Sequence, residues 1–109
     1  MALKLYKDDF TTERRLAWIR SKHQALFRGE VWELSFSEFC VGFWSTEDRW
    51  RQRGRRTYDL VLTRRDPEKP WDRNNCCILP RIQALTAKNL RYKGIDNNHC
   101  YRGAIYYGQ

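Results

Sequence analysis

The sequence contains no apolar run approaching the ~18 residues of a membrane-spanning helix, and its amphipathic stretches carry charges of both signs. A spanning helix is thereby excluded and a membrane-surface helix disfavoured. Histidine is scarce, with His23 and His99 the only two. The four cysteines, Cys40, Cys76, Cys77 and Cys100, form no C-x-x-C pair. Cys76 and Cys77 are adjacent, which on a strand sends their side chains to opposite faces, so a structural zinc site is not expected. The opening segment MALKLYKDDF carries charges where a secretory leader needs an apolar run. The expectation is an intracellular chain with reduced thiols. No internal repeat and no low-complexity linker is present.

What the chain has in excess is positive charge. It carries 21 Lys and Arg against 13 Asp and Glu, a formal net charge of +8, and 15 of the basic residues are arginine. The planar guanidinium fork matches phosphate, so nucleic acid is the first acidic partner this balance suggests, although a soluble basic domain without such a partner has the same composition. At 109 residues there is enough chain for one core and not for two. Five Trp, six Tyr and five Phe are interleaved with the arginines. Most are expected in that core, because rings bury much area per residue.

From Asp9 to Arg28, Leu16, Ile19, His23 and Leu26 recur at helical spacing beside Trp18 and Phe27. This predicts a helix with that stripe inward, Thr11 or Thr12 as N-cap and Gly29 as stop. The segment SFSE, Ser35 to Glu38, has capping-box spacing. A second helix is expected to follow, packing Phe36, Phe39, Cys40, Phe43 and Trp44 on one side and ending near WRQRGRR, where Gly54 interrupts the arginines. TYDLVLTRR, Thr57 to Arg65, is rich in β-formers and bounded by Asp66-Pro67, and CCIL, Cys76 to Leu79, reads as its partner strand. Pro80 suits the first turn of a helix, and RIQALTAKNLRY continues it to Gly94 with Ile82, Leu85 and Leu90 inward. The residue types of the tail, Ile95 to Gln109, do not decide between a short hairpin and a segment draped over the core.

The stretches FRGEVWELSFSEFCVGFW (Phe27 to Trp44), RGRR, YDLVLTRRD, KPWDRNNCCIL and RIQALTAKN follow one another in that order. This order resembles the small HNH-type endonucleases encoded by bacteriophages, in which a helical N-terminal region precedes a ββα-metal core. The resemblance covers about Leu16 to Asn89, and its order and spacing carry more than any single piece. It implies an α+β fold in a single domain, 1–109, with a helical part at 1–54, an HNH-like ββα module at 55–94 and a C-terminal tail at 95–109.

In that family a His at the end of the first strand deprotonates water. A central Asn holds the loop and orients that His, and a His or Asn from the last helix helps hold a divalent metal on the scissile phosphate. The chemistry calls for a base with pKa near neutrality and a cation to absorb charge developing on the phosphate. Carried over residue by residue, Arg64 falls on the base, Asp66 on the acidic residue of the turn and Asn75 on the central Asn, while Thr63 replaces the preceding Asp. The last helix offers Gln83, Lys88 and Asn89 and no His. A guanidinium stays charged at neutral pH and takes no proton, so the resemblance implies a degenerate member without the standard mechanism. His99 is a substitute base if the tail folds back over the site. Mg²⁺ is the cofactor expected if catalysis remains, with Asp59 and Asp66 as hard oxygen ligands acting through water. Asp66 before Pro67, and Asn74-Asn75, are equally explained as turn chemistry.

Arg49, Arg51, Arg53, Arg55 and Arg56 crowd around Gly54, and each is a candidate to neutralise a phosphate. Arg65, Lys69, Arg73, Lys88 and Arg91, with Lys93, extend the positive surface along the strand end, the loop and the last helix. Trp71 is expected to pack. Phosphate contacts position a nucleic acid without reading its sequence. The resemblance therefore implies a nucleic-acid partner, DNA foremost, in the host cytoplasm, with cleavage impaired or lost. The alternative is a phage inhibitor that binds an acidic host protein without catalysis.

Overall fold

A computed structural model describes residues 9–109; the charged segment 1–8, which carries most of the expectation about a leader, lies outside them. Helix α1 spans Asp9–Phe27 and is rich in Arg, Ala and Leu, which form helices readily. It ends in a Schellman motif at Gly29, φ 79°, with Glu30 N donating to Ala25 O at 2.9 Å and Gly29 N to Leu26 O at 3.0 Å. Thr11 and Thr12 lie inside the helix, so neither is its N-cap. The inward face also differs from the expected one. Ala17 and Ala25 are buried, and Phe10 and Trp18 pack against the core, whereas Leu16 and Leu26 are about half exposed, His23 is exposed and Phe27 is 93% exposed. Small side chains let α1 approach closely, and Trp18 fixes that approach by donating Nε1–H to Leu34 O at 2.9 Å. A reading that follows only the large apolar residues selects the opposite stripe.

The capping box forms as expected: Ser35 N donates to Glu38 Oε1 at 2.9 Å and Glu38 N to Ser35 Oγ at 3.0 Å. It opens a π-helix, Glu38–Phe43, which buries Phe39, Cys40 and Phe43 and is followed by buried Trp44. The expected single helix is broken there. Thr46 accepts from Arg49 N at 3.1 Å and starts the separate helix α2, Glu47–Arg51.

Strands β1, Leu60–Arg64, and β2, Cys76–Pro80, pair antiparallel with Leu60 opposite Pro80 and Arg64 opposite Cys76. β1 starts later than expected because the residues before it cap the next helix. Thr57 O and Asp59 O accept from Ile82 N at 2.9 Å and Arg81 N at 2.7 Å, satisfying the first donors of α3, Arg81–Tyr92. α3 ends in a second Schellman motif at Gly94, with Ile95 N donating to Leu90 O at 2.9 Å. It turns Ala84, Ala87 and Leu90 toward the sheet and leaves Ile82 and Leu85 exposed, contrary to expectation for those two.

The sheet divides the core. Leu60, Leu62, Cys76 and Ile78 pack with Leu34, Phe39, Phe43, Trp44 and Trp50, while Cys77 and Leu79 pack with α3 and Tyr101. The tail folds over β2, where Ile105 exchanges backbone hydrogen bonds with Ile78, and it includes a 3-10 turn at Asn98–Tyr101. The architecture is α+β: among the described residues, a two-stranded antiparallel sheet with helices on both faces. No helix among these residues is long and apolar enough to cross a membrane.

Candidate functional site

The loop from β1 to β2 is organised by Asn75, only 8% exposed. Its Oδ1 accepts from Asp66 N at 2.9 Å, and its Nδ2 donates to Asp66 O and Pro70 O at 2.9 Å each and to Lys69 O at 3.4 Å. Asp72 Oδ1 accepts from the backbone N–H groups of Asn74 and Asn75 at 2.9 and 2.8 Å. Asp66 Oδ1 accepts from Glu68 N at 3.0 Å, an Asx turn leading through Pro67. These polar side chains thus pair backbone groups of a largely exposed loop wrapped around the buried Asn75 side chain.

Arg64 is committed elsewhere. Its Nη1 donates to Lys69 O at 2.9 Å, its Nη2 pairs with Glu30 Oε2 at 3.1 Å, and its guanidinium lies 5.0 Å from the Trp71 ring centroid, leaving the side chain 10% exposed. Because paired residues share a face of the sheet, Arg64 opposite Cys76 projects toward the N-terminal part, and Thr63 opposite Cys77 projects toward α3. Glu30 also accepts from Arg28 Nη2 at 2.9 Å and from Trp71 Nε1 at 3.0 Å. The Arg28 hydrogen bonds lower its pKa against the opposing effect of burial, helped by Trp71 and the Arg64 charge. Trp71 itself packs as expected, its ring stacked on Trp32 at 5.5 Å.

Between the end of β1 and α3 lies a cleft of about 550 Å³ whose walls include Thr63, Arg64, Pro67, Lys88, Arg91 and Tyr101. Asp66 faces Arg91, whose Nη2 is 3.2 Å from Asp66 Oδ1 and 3.3 Å from Glu68 Oε2. Arg64, Asp66 and Asn75 therefore meet at the backbone of one loop, but no direct contact joins their side chains: Arg64 pairs with Glu30, Asp66 with Arg91, and Asn75 with loop backbone. Asp59 lies at the far end of β1, where its Oδ2 accepts from Arg56 N at 3.0 Å. The strand rise puts Asp59 and Asp66 about 20 Å apart, too far to share one ion. His99 sits with its Nε2 3.7 Å from Cys100 Sγ and does not line the cleft. Among the described residues no group of three or more His, Cys, Asp or Glu is arranged to hold a metal ion. Burial pushes the thiols of Cys76 and Cys77 up to about 12 and about 11, so neither is a thiolate at neutral pH.

The arginines and lysines separate into two sets. Arg65 donates to Tyr106 Oη at 2.9 Å and Asn98 Oδ1 at 3.0 Å. Arg49 donates to Phe43 O at 2.7 Å, Arg51 pairs with Glu13 at 2.8 Å and Glu47 at 3.1 Å, and Arg73 lies 3.8 Å from Glu38. These side chains are engaged within the fold, the Arg51 and Arg73 pairs at its surface. Lys69, Lys88, Arg53, Arg55 and Arg56 are exposed and make no side-chain ion pair or hydrogen bond with a described residue. Sequence reasoning missed Glu30, 34 positions from Arg64, because nothing local marks an ion pair between such distant segments. It also did not single out Arg20 and Arg81, which lie in two helices far apart in the sequence. No protein-family model, curated protein or solved structure matches the chain.

Proposed function

We propose that the chain is a nucleic-acid-binding protein whose segment 55–94 is an HNH-like ββα module that no longer cleaves phosphodiesters. The observation that carries the loss of cleavage is Arg64. At the position that the resemblance gives to the general base stands a guanidinium held by Glu30 and Lys69 O, which takes no proton from water. Support for the module comes from the order β1, loop, β2, α3 and from Asn75, which holds the loop as the central Asn of the family does. Support for binding comes from Lys88 and Arg91 on the cleft and from the free arginines of segment 53–56. The test is fluorescence anisotropy with duplex DNA from about 50 to about 200 mM salt, where affinity should fall steeply as counterions compete. Supercoiled plasmid should stay intact with Mg²⁺ or Mn²⁺. Nicking that Asp66→Ala or Asn75→Ala abolishes would overturn the loss of catalysis.

One observation favours the alternative, an acidic host protein. Leu16, Leu26 and Phe27 stand out from α1 beside Arg15, Arg20 and Lys22, a surface suited to an acidic amphipathic helix. No binding to any nucleic acid, together with capture of a host protein that Leu26→Asp and Phe27→Asp abolish, would favour that reading.

A further inference from the structure

Four arginines line a second cleft, of about 620 Å³, between α1, the segment 53–55 and the outer edge of β1: Arg20, Arg53, Arg55 and Arg81. None of the four makes an ion pair or side-chain hydrogen bond with a described residue; Arg53 only lies over the Trp50 ring, 4.9 Å from its centroid. Arg28, Arg51, Arg64 and Arg91 find carboxylates. Arg15, Arg56 and Arg102, like the four in the cleft, make no ion pair or side-chain hydrogen bond with a described residue, but they are not gathered in one concavity. In the cleft no acidic residue among the described ones lines the walls. The nearest carboxylate in sequence, that of Asp59, is turned to Arg56 N beneath Gly54, so close that a Cβ on Gly54 would collide with it. Glu13 shares an adjoining cleft with Arg20 and Arg53 but is engaged by Arg51 and Trp50 Nε1.

The electrostatic consequence is visible at Arg53. Its side chain reaches solvent at the rim, yet the surrounding walls desolvate it, and the charges of Arg20 and Arg55 add to that effect in lowering its pKa. A second polar group in the wall also lacks a partner: Trp44 is fully buried and its indole Nε1–H makes no hydrogen bond with a described residue. Ser21, Gln24 and Leu62 continue from this cleft into a smaller one, and Arg28 and Trp71 continue from there into the cleft over the hairpin loop. The three clefts thus adjoin one another along β1, whose outer edge is bonded at Leu60 by the segment 52–54 and beyond it by no strand among the described residues.

We propose that the Arg20, Arg53, Arg55 and Arg81 cleft is a phosphate-binding site. Resting on the nucleic-acid reading above, its occupant is the backbone phosphate of a strand that runs along the β1 edge toward Lys88 and Arg91. Forked guanidinium donors suit phosphate oxygens better than a point charge does, and a concave cationic site concentrates the anion.

The test compares Arg20→Gln/Arg81→Gln with Arg15→Gln/Arg102→Gln, which removes equal charge from arginines outside the cleft. Labelled duplex DNA and tripolyphosphate are the two probes. The cleft pair should bind DNA at least about tenfold more weakly at low salt, with a salt slope shallower by about 1.8, from about 0.9 for each lost phosphate contact. Tripolyphosphate binding should vanish in the cleft pair and persist in the control pair. Equal losses in both pairs would assign the effect to net charge and overturn the site. DNA bound equally by the parent and the cleft pair would overturn the site and leave the nucleic-acid reading standing. Tripolyphosphate bound through the cleft without any DNA binding would keep the site and remove that reading. If the parent binds neither probe, both fall. In case the cleft pair folds poorly, the Trp44 indole N–H resonance of the parent provides a second readout. It should shift on adding tripolyphosphate, and its constancy would count against the site.

Discussion

Replacing Asn75 with Ala should destabilise the protein by about 2–4 kcal/mol. The side chain makes three bonds of 2.9 Å to backbone groups, one to Asp66 N, one to Asp66 O and one to Pro70 O, from a site 8% exposed. Each such bond contributes roughly 0.5–1.5 kcal/mol net, and a donor stranded without water costs more than the mean. The longer contact to Lys69 O, 3.4 Å, is left out of the sum because its geometry is poor. For a domain of this size the loss lowers the melting temperature by roughly 10–20 °C. Urea unfolding followed by near-ultraviolet circular dichroism measures it, with Asn74→Ala as control. Asn74 is exposed and its side chain makes no hydrogen bond with a described residue, so its removal should cost less than about 0.5 kcal/mol. A loss below about 1 kcal/mol for Asn75→Ala would refute the claim that this side chain organises the loop.

Three further outcomes follow from the same packing. Glu30 has a folded pKa below its ordinary value of 4.5, so its contribution is present above that value and lost as pH falls through the folded pKa. Urea midpoints between neutral and acidic pH should therefore fall more for the parent than for Glu30→Gln, and parallel curves would contradict the role of the Arg28 and Arg64 contacts. Cys76 and Cys77, buried and with pKa values of about 12 and about 11, should resist iodoacetamide at neutral pH and react once the chain is unfolded, as mass spectrometry can follow. Gly42 lies against the Tyr107 ring, where a Cβ would collide. Gly42→Ala should cost about 1–3 kcal/mol by overpacking, and much of that cost should disappear in a Tyr107→Ala background, where additivity would show that the two do not touch.

The α+β class was legible in the sequence, as were the capping box at Ser35 and Glu38 and the glycine stops at Gly29 and Gly94. These features arise between residues a few positions apart, and the residue types alone specify them. The opposite orientation of Cys76 and Cys77 was equally readable, because a pleat alternates whatever surrounds it. The inward face of α1 was not readable, since Ala17 and Ala25 carry little hydropathy of their own and were selected by how closely the helix could approach its neighbours.

The charge of +8 and its arginine bias are properties of the composition. Which arginines are engaged within the fold and which remain free was decided only by tertiary structure. Arg64 meets Glu30 from 34 positions away, and Arg20 and Arg81 meet Arg53 and Arg55 at one cleft although 61 positions separate the outer two. An ion pair depends on separation in space, which chain position does not encode for segments joined by several turns. The sequence by itself therefore determined that the protein is basic and what its local elements are, and the folded chain determined where that charge is left without a partner.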